Sequence, residues 1–218
     1  MSSINVEAVV LASEHRSERD RRLTLFTLEL GRLWVQASGV LRPGAKLAAG
    51  TEPGVRGRFR LWLPEGSSTG RVTGGGVVEG HAGVRREWRR LTSALFFCEW
   101  TDRLTPLLQP HEEKFFLLTK ALAALERWDP APVRAAFLVQ FARLAGYGPI
   151  PGVESGSLDA WTFDGPPDFF NGDSPAVEAQ VIQSLSPHLS RPLKSLEQGR
   201  RMDHFLRRTE IPQPLGHF

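Results

Sequence analysis

Two segments of strict period-two alternation constrain this chain more than any other feature. In Arg32–Ala37, the residues Leu33, Val35 and Ala37 fall on one side and Arg32, Trp34 and Gln36 on the other. The second segment repeats the pattern, with Arg56, Arg58, Arg60 and Trp62 alternating with Gly57, Phe59, Leu61 and Leu63. Each is a strand with one apolar face for a core and a second face that carries guanidinium groups and an indole. Like charges two residues apart repel modestly, and folding does not require them. A ligand that is both polyanionic and stackable explains both residue types, and single-stranded nucleic acid is the commonest such ligand. Without a ligand, the same pattern is a solvated basic face or one covered by the rest of the protein.

The first 80 residues contain five such strands, roughly Val6–Ser13, Arg22–Leu28, Arg32–Ser38, Val55–Leu63 and Arg71–Val78. Glu29-Leu30-Gly31 suits a tight hairpin. Leu41–Gly50 supplies a short helix or coil between the third and fourth strands. Five strands with a longer link after the third match a small Greek-key barrel of the OB type, with a small sandwich as the other architecture. Gly74-Gly75-Gly76 follows no phosphate-binding fingerprint and marks a bulge in the fifth strand. From Arg85 the period becomes helical. Helices are expected at Arg85–Leu104, His111–Trp128, from Pro132 to Gly146, Pro175–Leu185 and Gly199–Thr209. The fold class is therefore α+β, with an N-terminal five-stranded barrel over 1–80 as the nucleic-acid-binding domain and a helical domain over 81–218. Segment 147–175 is irregular and rich in Gly, Pro, Asp and Ser, with Trp161, Phe163, Phe169 and Phe170 embedded.

The net charge is only +3, but it is unevenly spread. Residues 1–80 and 81–150 each carry a surplus of three bases, 151–185 hold six acids and no base, and 186–218 hold six bases and three acids. Local patches are favoured over uniform attraction to DNA. No apolar run approaches the ~20 residues that cross a bilayer, and the N-terminus lacks the features of a signal peptide. A cytoplasmic location without membrane contact is expected. A single cysteine, Cys98, excludes an internal disulfide and a multi-thiolate zinc site. In the most apolar helix it reads as an inert filler. The six histidines show no metal-binding spacing. Gly66-Ser67-Ser68-Thr69-Gly70 matches a nucleophile elbow literally, but a strand and not a helix is expected after it. No cofactor, metal or catalytic residue is expected, and the chain reads as a non-enzyme.

Other cations extend the candidate surface. Arg16, Arg19, Arg21 and Arg22 lie in or beside the loop joining strands one and two, interleaved with Glu14, Glu18 and Asp20, so ion pairing competes with ligand contact. Arg42 and Lys46 have fewer acidic neighbours. Arg85, Arg86, Arg89 and Arg90 open a helix, against the dipole. Phosphate binding and a solvated helix end fit them equally. Arg200, Arg201, Arg207 and Arg208 recur at helical spacing as a second DNA patch or an amphipathic closing helix. Arg134 is the only charge between Val133 and Ala142. An internal salt bridge to Glu99 or Glu126 is one explanation for it.

The order and spacing of several short motifs resemble the bacterial RecO recombination mediators over the whole length. These are Ala8-Val9-Val10-Leu11, Phe26-Thr27 with Gly31-Arg32-Leu33, Ala37-Ser38-Gly39-Val40 leading to Arg42-Pro43 and Lys46-Leu47, Glu99, Arg134 through Gly146-Tyr147-Gly148, and Arg191-Pro192-Leu193-Lys194-Ser195. The resemblance implies an N-terminal OB-fold, a helical domain and a non-enzymatic role in RecF-pathway repair. It implies binding of single- and double-stranded DNA, strand annealing, and RecA loading with RecR, and through RecR contact with RecF, on DNA coated with single-stranded DNA-binding protein. It marks the Arg42–Lys46 loop as DNA-contacting. It also implies a pocket at Arg134, Phe137 and Leu138 for the C-terminal tail of single-stranded DNA-binding protein, where an apolar wall takes a ring and the guanidinium pairs the carboxylate. A nucleoid-associated location follows. Many family members carry four zinc-binding cysteines after the Gly-Tyr motif. Val153–Asp173 has none here, which matches the zinc-free lobes in the family. A general OB-fold nucleic-acid module and a protein adaptor without DNA contact are the rival readings.

Overall fold

The structure is a computed structural model that describes residues 2–150, 161–166, 173–189 and 192–209, with side chains described as far as 202 apart from those of Ser2 and Arg200. Phe169, Phe170, Arg191 and three of the six acids of 151–185, Glu154, Asp159 and Asp168, lie outside these residues. The expected patch at Arg200, Arg207 and Arg208 likewise rests on side chains outside them.

Five strands, β1 (Ser2–His15), β2 (Arg21–Thr27), β3 (Gly31–Ala37), β4 (Arg56–Leu63) and β5 (Thr69–Glu79), close into a barrel in the order β1-β2-β3-β5-β4. All pairs are antiparallel except β3 with β5, the parallel seam that closes the barrel. This is the OB architecture. Val6, Ala8, Val10, Leu23, Leu25, Leu33, Val35, Phe59 and Leu61 fill the interior, so the alternation in β3 and β4 points inward as the sequence requires. The fifth strand slips register against β4 at Arg56/Gly57 and Arg60/Leu61, on either side of the glycine triplet. The link after β3 is a series of turns ending in a short 3-10 turn at Ala49–Thr51.

Gly31 ends the β2–β3 hairpin at φ +73°, and a Cβ there would stand 2.3 Å from the carbonyl oxygen of Gln109. The first two helices are joined by a segment pinned at the same place, where the Leu108 N–H donates to the Arg32 carbonyl at 2.9 Å. A side chain at Gly31 would push barrel and helices apart.

Helices α1 (Trp88–Leu104), α2 (Glu112–Ala124) and α3 (Pro130–Leu144) follow, then α4 (Ser174–Leu185) and α5 (Lys194–Thr209). Asp129 caps α3 by accepting from the Ala131 N–H at 2.8 Å, and Pro130 opens it. Phe96, Phe97, Trp100, Phe115, Phe137 and Phe141 build the helical core, joined by Val9, Leu11 and Phe26 from the outside of the barrel. The helices therefore cover the outer surface of β1 and β2 at that end. Cys98 is fully buried against the Val10 carbonyl, and burial pushes its thiol up to about 12.

Candidate nucleic-acid interface

The barrel register assembles one open face from four strands. Trp34 on β3 stands opposite Thr24 on β2 and Thr69 on β5, and Gln36 stands opposite Arg22 and Arg71. Across β5, Arg71 is in turn opposite Trp62 on β4. Directly opposed residues share a face, so Arg22, Trp34, Gln36, Arg71 and Trp62 lie together on the outside, with β5 running between the two indoles. Both tryptophans are half-buried, neither sealed in the core nor fully exposed. The Arg22 guanidinium lies 5.2 Å from the Trp34 ring centre, and Arg71 lies 5.9 Å from that of Trp62. Each such contact is worth about 0.5–1 kcal/mol at an exposed site, enough to hold a ring in place without sealing it. Arg71 was not among the sequence candidates. Its outward alternation with Val72 was legible, but its position beside Trp62 depends on the register of two strands.

The arginines of the two alternating strands divide. Arg58 is 80% exposed, with Glu7 only at 4.0 Å, and Arg60 is exposed, with its Nε–H directed at the Asn5 amide oxygen at 3.4 Å. Arg32 and Arg56 correct the expectation of a free basic face. Arg32 pairs with Asp102 of α1 at 2.5 Å, at the seam where the helices cover the barrel. Arg56 donates its Nε–H to Glu7 at 2.7 Å and pairs with Glu79 at 3.3 Å. Burial opposes the Arg56 charge, but hydrogen bonding and attraction from Glu7, reinforced by Glu79, hold its pKa above the ordinary value. Arg21 is withdrawn in the same way. It donates to Glu52 at 2.6 Å and to the Thr51 hydroxyl at 2.7 Å. The acids that neutralise these three cations are remote in sequence, so counting local charges did not reveal them.

Arg42 and Lys46 are exposed on the turns after β3, where Lys46 edges a groove of 290 Å³ against Val72, Thr73 and Gly74. Beyond the barrel, Val84–Arg86 forms a 3-10 turn before α1. Arg85 donates to the carbonyls of Pro53 at 2.8 Å and Gly80 at 3.3 Å, which ties that turn to the barrel. Arg86 is exposed, and Arg89 lies over Trp88 at 5.5 Å. Arg90 pairs with Glu87 and donates to the Leu125 carbonyl.

Arg134 sits in a groove of about 620 Å³ between the first turns of α1 and α3 and the helices α4 and α5. Its partner is neither Glu99 nor Glu126. Glu178 of α4 takes its guanidinium from two nitrogens, and the Phe96 ring lies 4.6 Å beneath it. Phe137 and Leu138 do not line this groove. Both are 0% exposed, and Phe137 packs on Phe97 at 4.2 Å and on Phe141 at 5.5 Å. They are core residues because α3 is surrounded by α1, α2 and α4. The walls open to a ligand are Trp88, Pro130, Ile182 and Leu196.

A family model described as "Recombination protein O N terminal" matches residues 1–81, and one described as "Recombination protein O C terminal" matches residues 85–150. The DNA repair protein RecO of Geobacter metallireducens is 34% identical over 148 residues, covering 67% of this chain and 60% of that protein. That of Pelotomaculum thermopropionicum is 32% identical over 150 residues, covering 69% and 58%, and that of Moorella thermoacetica 32% over 143 residues, covering 66% and 53%. Each match spans less than two thirds of the relative's own length. With both halves of the family pattern present in order on a barrel followed by helices, the chain belongs to the RecO family.

Proposed function

We propose that this chain binds single-stranded DNA across the outer face of its barrel and acts in DNA repair and recombination as a mediator, without covalent chemistry. The observation that carries the reading is the pair of half-buried indoles, Trp34 and Trp62, flanking β5 on the outer face with Arg22 and Arg71 beside them. Stacking contributes about 1–3 kcal/mol per base, and phosphate contacts add affinity that falls with salt. Contacts of both kinds hold a strand without reading its base edges, which leaves those edges free to pair with a complement. Annealing follows from that arrangement. Double-stranded DNA, RecR and, through it, RecA and RecF are the further partners of this reading, supported by membership of the family.

The groove at Arg134 is the proposed seat of the tail of single-stranded DNA-binding protein. An incoming carboxylate there replaces Glu178 on the guanidinium, and its aromatic neighbour packs against the apolar walls. Exposed Arg58, Arg60, Arg42, Lys46, Arg86 and Arg89 extend the DNA surface.

The test is a salt titration of single-stranded DNA binding, with and without the tail peptide, for the wild type and the Trp34→Ala/Trp62→Ala double variant. The expected result is a linear fall of log affinity with log salt and a loss of about tenfold or more in the variant. Unchanged affinity in the double variant overturns the assignment of this face. Absence of any DNA binding by the wild type leaves an adaptor role.

A further inference from the structure

Two grooves cross β5 and share Gly74 and Gly75. One, of 510 Å³, is edged by Asn5, Arg58 and Arg60, and the other, of 290 Å³, by Gly39, Lys46 and Thr73. The register sets Gly74 opposite Arg60 and Gly76 opposite Arg58, so both glycines lie on the same outer face as those arginines. Gly75 is required by packing, since a Cβ there would stand 2.7 Å from the Arg58 carbonyl oxygen. Gly74 and Gly76 are not. A Cβ at either meets nothing within 4 Å, and neither has a positive φ. The result is a trough with a floor of bare backbone and cations on both banks. Lys46 and Arg60 have no carboxylate within ion-pair distance among the described residues, and Arg58 has only Glu7 at 4.0 Å.

We infer that this trough carries the sugar–phosphate backbone of a single DNA strand whose bases stack on Trp34 and Trp62. Resting on the DNA-binding reading above, the inference adds the path that the strand takes. A floor without side chains lets another backbone approach closely. Arg58 and Arg60 on one bank and Lys46 on the other meet its phosphates. The trough lies on the order of 10 Å along β5 from Arg71, within reach of a strand anchored on the indoles. A flexible single strand can turn from the rings into the trough. A duplex keeps its bases stacked on one another and offers no free ring to Trp34 or Trp62.

The test compares Gly74→Val and Gly76→Val with the wild type, using the full chain, a fluorescent oligothymidylate and a range of salt, with urea unfolding as a parallel measurement. The open space at both positions predicts an undiminished unfolding midpoint, together with about tenfold weaker binding and a retained salt slope. Arg58→Gln and Arg60→Gln are expected to reduce the salt slope by about one each. If the valine variants bind like the wild type while Trp34→Ala/Trp62→Ala does not, the trough is overturned and the DNA-binding face stands. If no variant loses affinity, both fail. Should a valine lower the midpoint, Arg58→Glu with Arg60→Glu decides the matter, and unchanged affinity there overturns the trough.

Discussion

The backbone N–H and the hydroxyl of Ser195 both donate to one oxygen of Glu99, at 2.9 and 2.8 Å. The other oxygen takes the Lys194 N–H at 3.1 Å and Arg103 at 3.3 Å. A carboxylate on α1 thus supplies the N-terminal acceptors that α5 needs, 96 residues further along the chain. Burial works to raise the Glu99 pKa, but the donors from Ser195, Lys194 and Arg103 outweigh it and hold the group below its ordinary value.

Loss of this acceptor is expected to loosen α5. Glu99→Ala leaves four donors on three residues without their partner and costs about 1–3 kcal/mol. Because the folded pKa is depressed, the carboxylate's contribution is present above the unfolded value and is lost as pH falls through the folded one. Urea unfolding of the wild type between pH 7 and pH 3 is expected to show that loss. Glu99→Gln, with nothing to titrate, is expected to have a flatter profile over the same range. Equal slopes for the two proteins would disprove the assignment.

Arginines that look alike in sequence are expected to part in experiment. Arg32→Ala strands Asp102 at the barrel–helix seam, and Arg56→Ala strands Glu7. Each is expected to lower stability by about 1–3 kcal/mol while leaving DNA affinity within about twofold. Arg58→Ala and Arg60→Ala should do the reverse, weakening DNA binding with stability changes of at most about 0.5 kcal/mol. Unfolding and binding measured on the same four variants check this, and a DNA defect in Arg32→Ala that exceeds that of Arg60→Ala would contradict it.

What was legible in the chain was local. Period-two alternation fixes which side of β3 and β4 enters the barrel, and Leu33, Val35, Phe59 and Leu61 are all inside it. Alternation does not say which part of the outer circumference stays open. Asp102 lies 70 residues from Arg32, Glu7 49 from Arg56, and Glu178 44 from Arg134, so each neutralising contact is set by topology. One signal of the covered region was present. The run Val9-Val10-Leu11 breaks alternation, as a strand buried on both faces must, and Val9 and Leu11 are the residues on which the helices pack. Phe137 and Leu138 carry a similar message. Adjacent helical residues do not share a face, so two large apolar neighbours that are both buried require a helix enclosed on several sides.

Phe137 and Leu138 are accordingly expected to behave as core. Phe137→Ala removes a ring packed at a tilt between Phe97 and Phe141 and is expected to cost about 3–5 kcal/mol, and Leu138→Ala about 2–5 kcal/mol. The conservative Leu138→Met is expected to cost less than about 1.5 kcal/mol and to keep any affinity for the tail peptide. Chemical denaturation gives the energies. A tail-binding defect in a fully folded Leu138→Met protein would return the residue to the pocket.

The Arg134–Glu178 pair joins α3 to α4 and also occupies the guanidinium on which a partner carboxylate would land. Both side chains are partly shielded, at 18% and 19% exposure, so the pair is expected to contribute more than a surface salt bridge, about 1–2 kcal/mol in a double-mutant cycle of Arg134→Ala and Glu178→Gln. The two single variants then differ in function. Arg134→Ala removes the site and is expected to abolish binding of a peptide ending in an aromatic residue and a free carboxylate. Glu178→Gln removes the internal competitor and is expected to raise affinity for that peptide by about threefold to tenfold, with a small loss of stability. Calorimetric titration of both variants with the acid and amide forms of the peptide checks the prediction. Equal binding of the two forms, or weaker binding by Glu178→Gln, would show that the groove does not exchange one carboxylate for another.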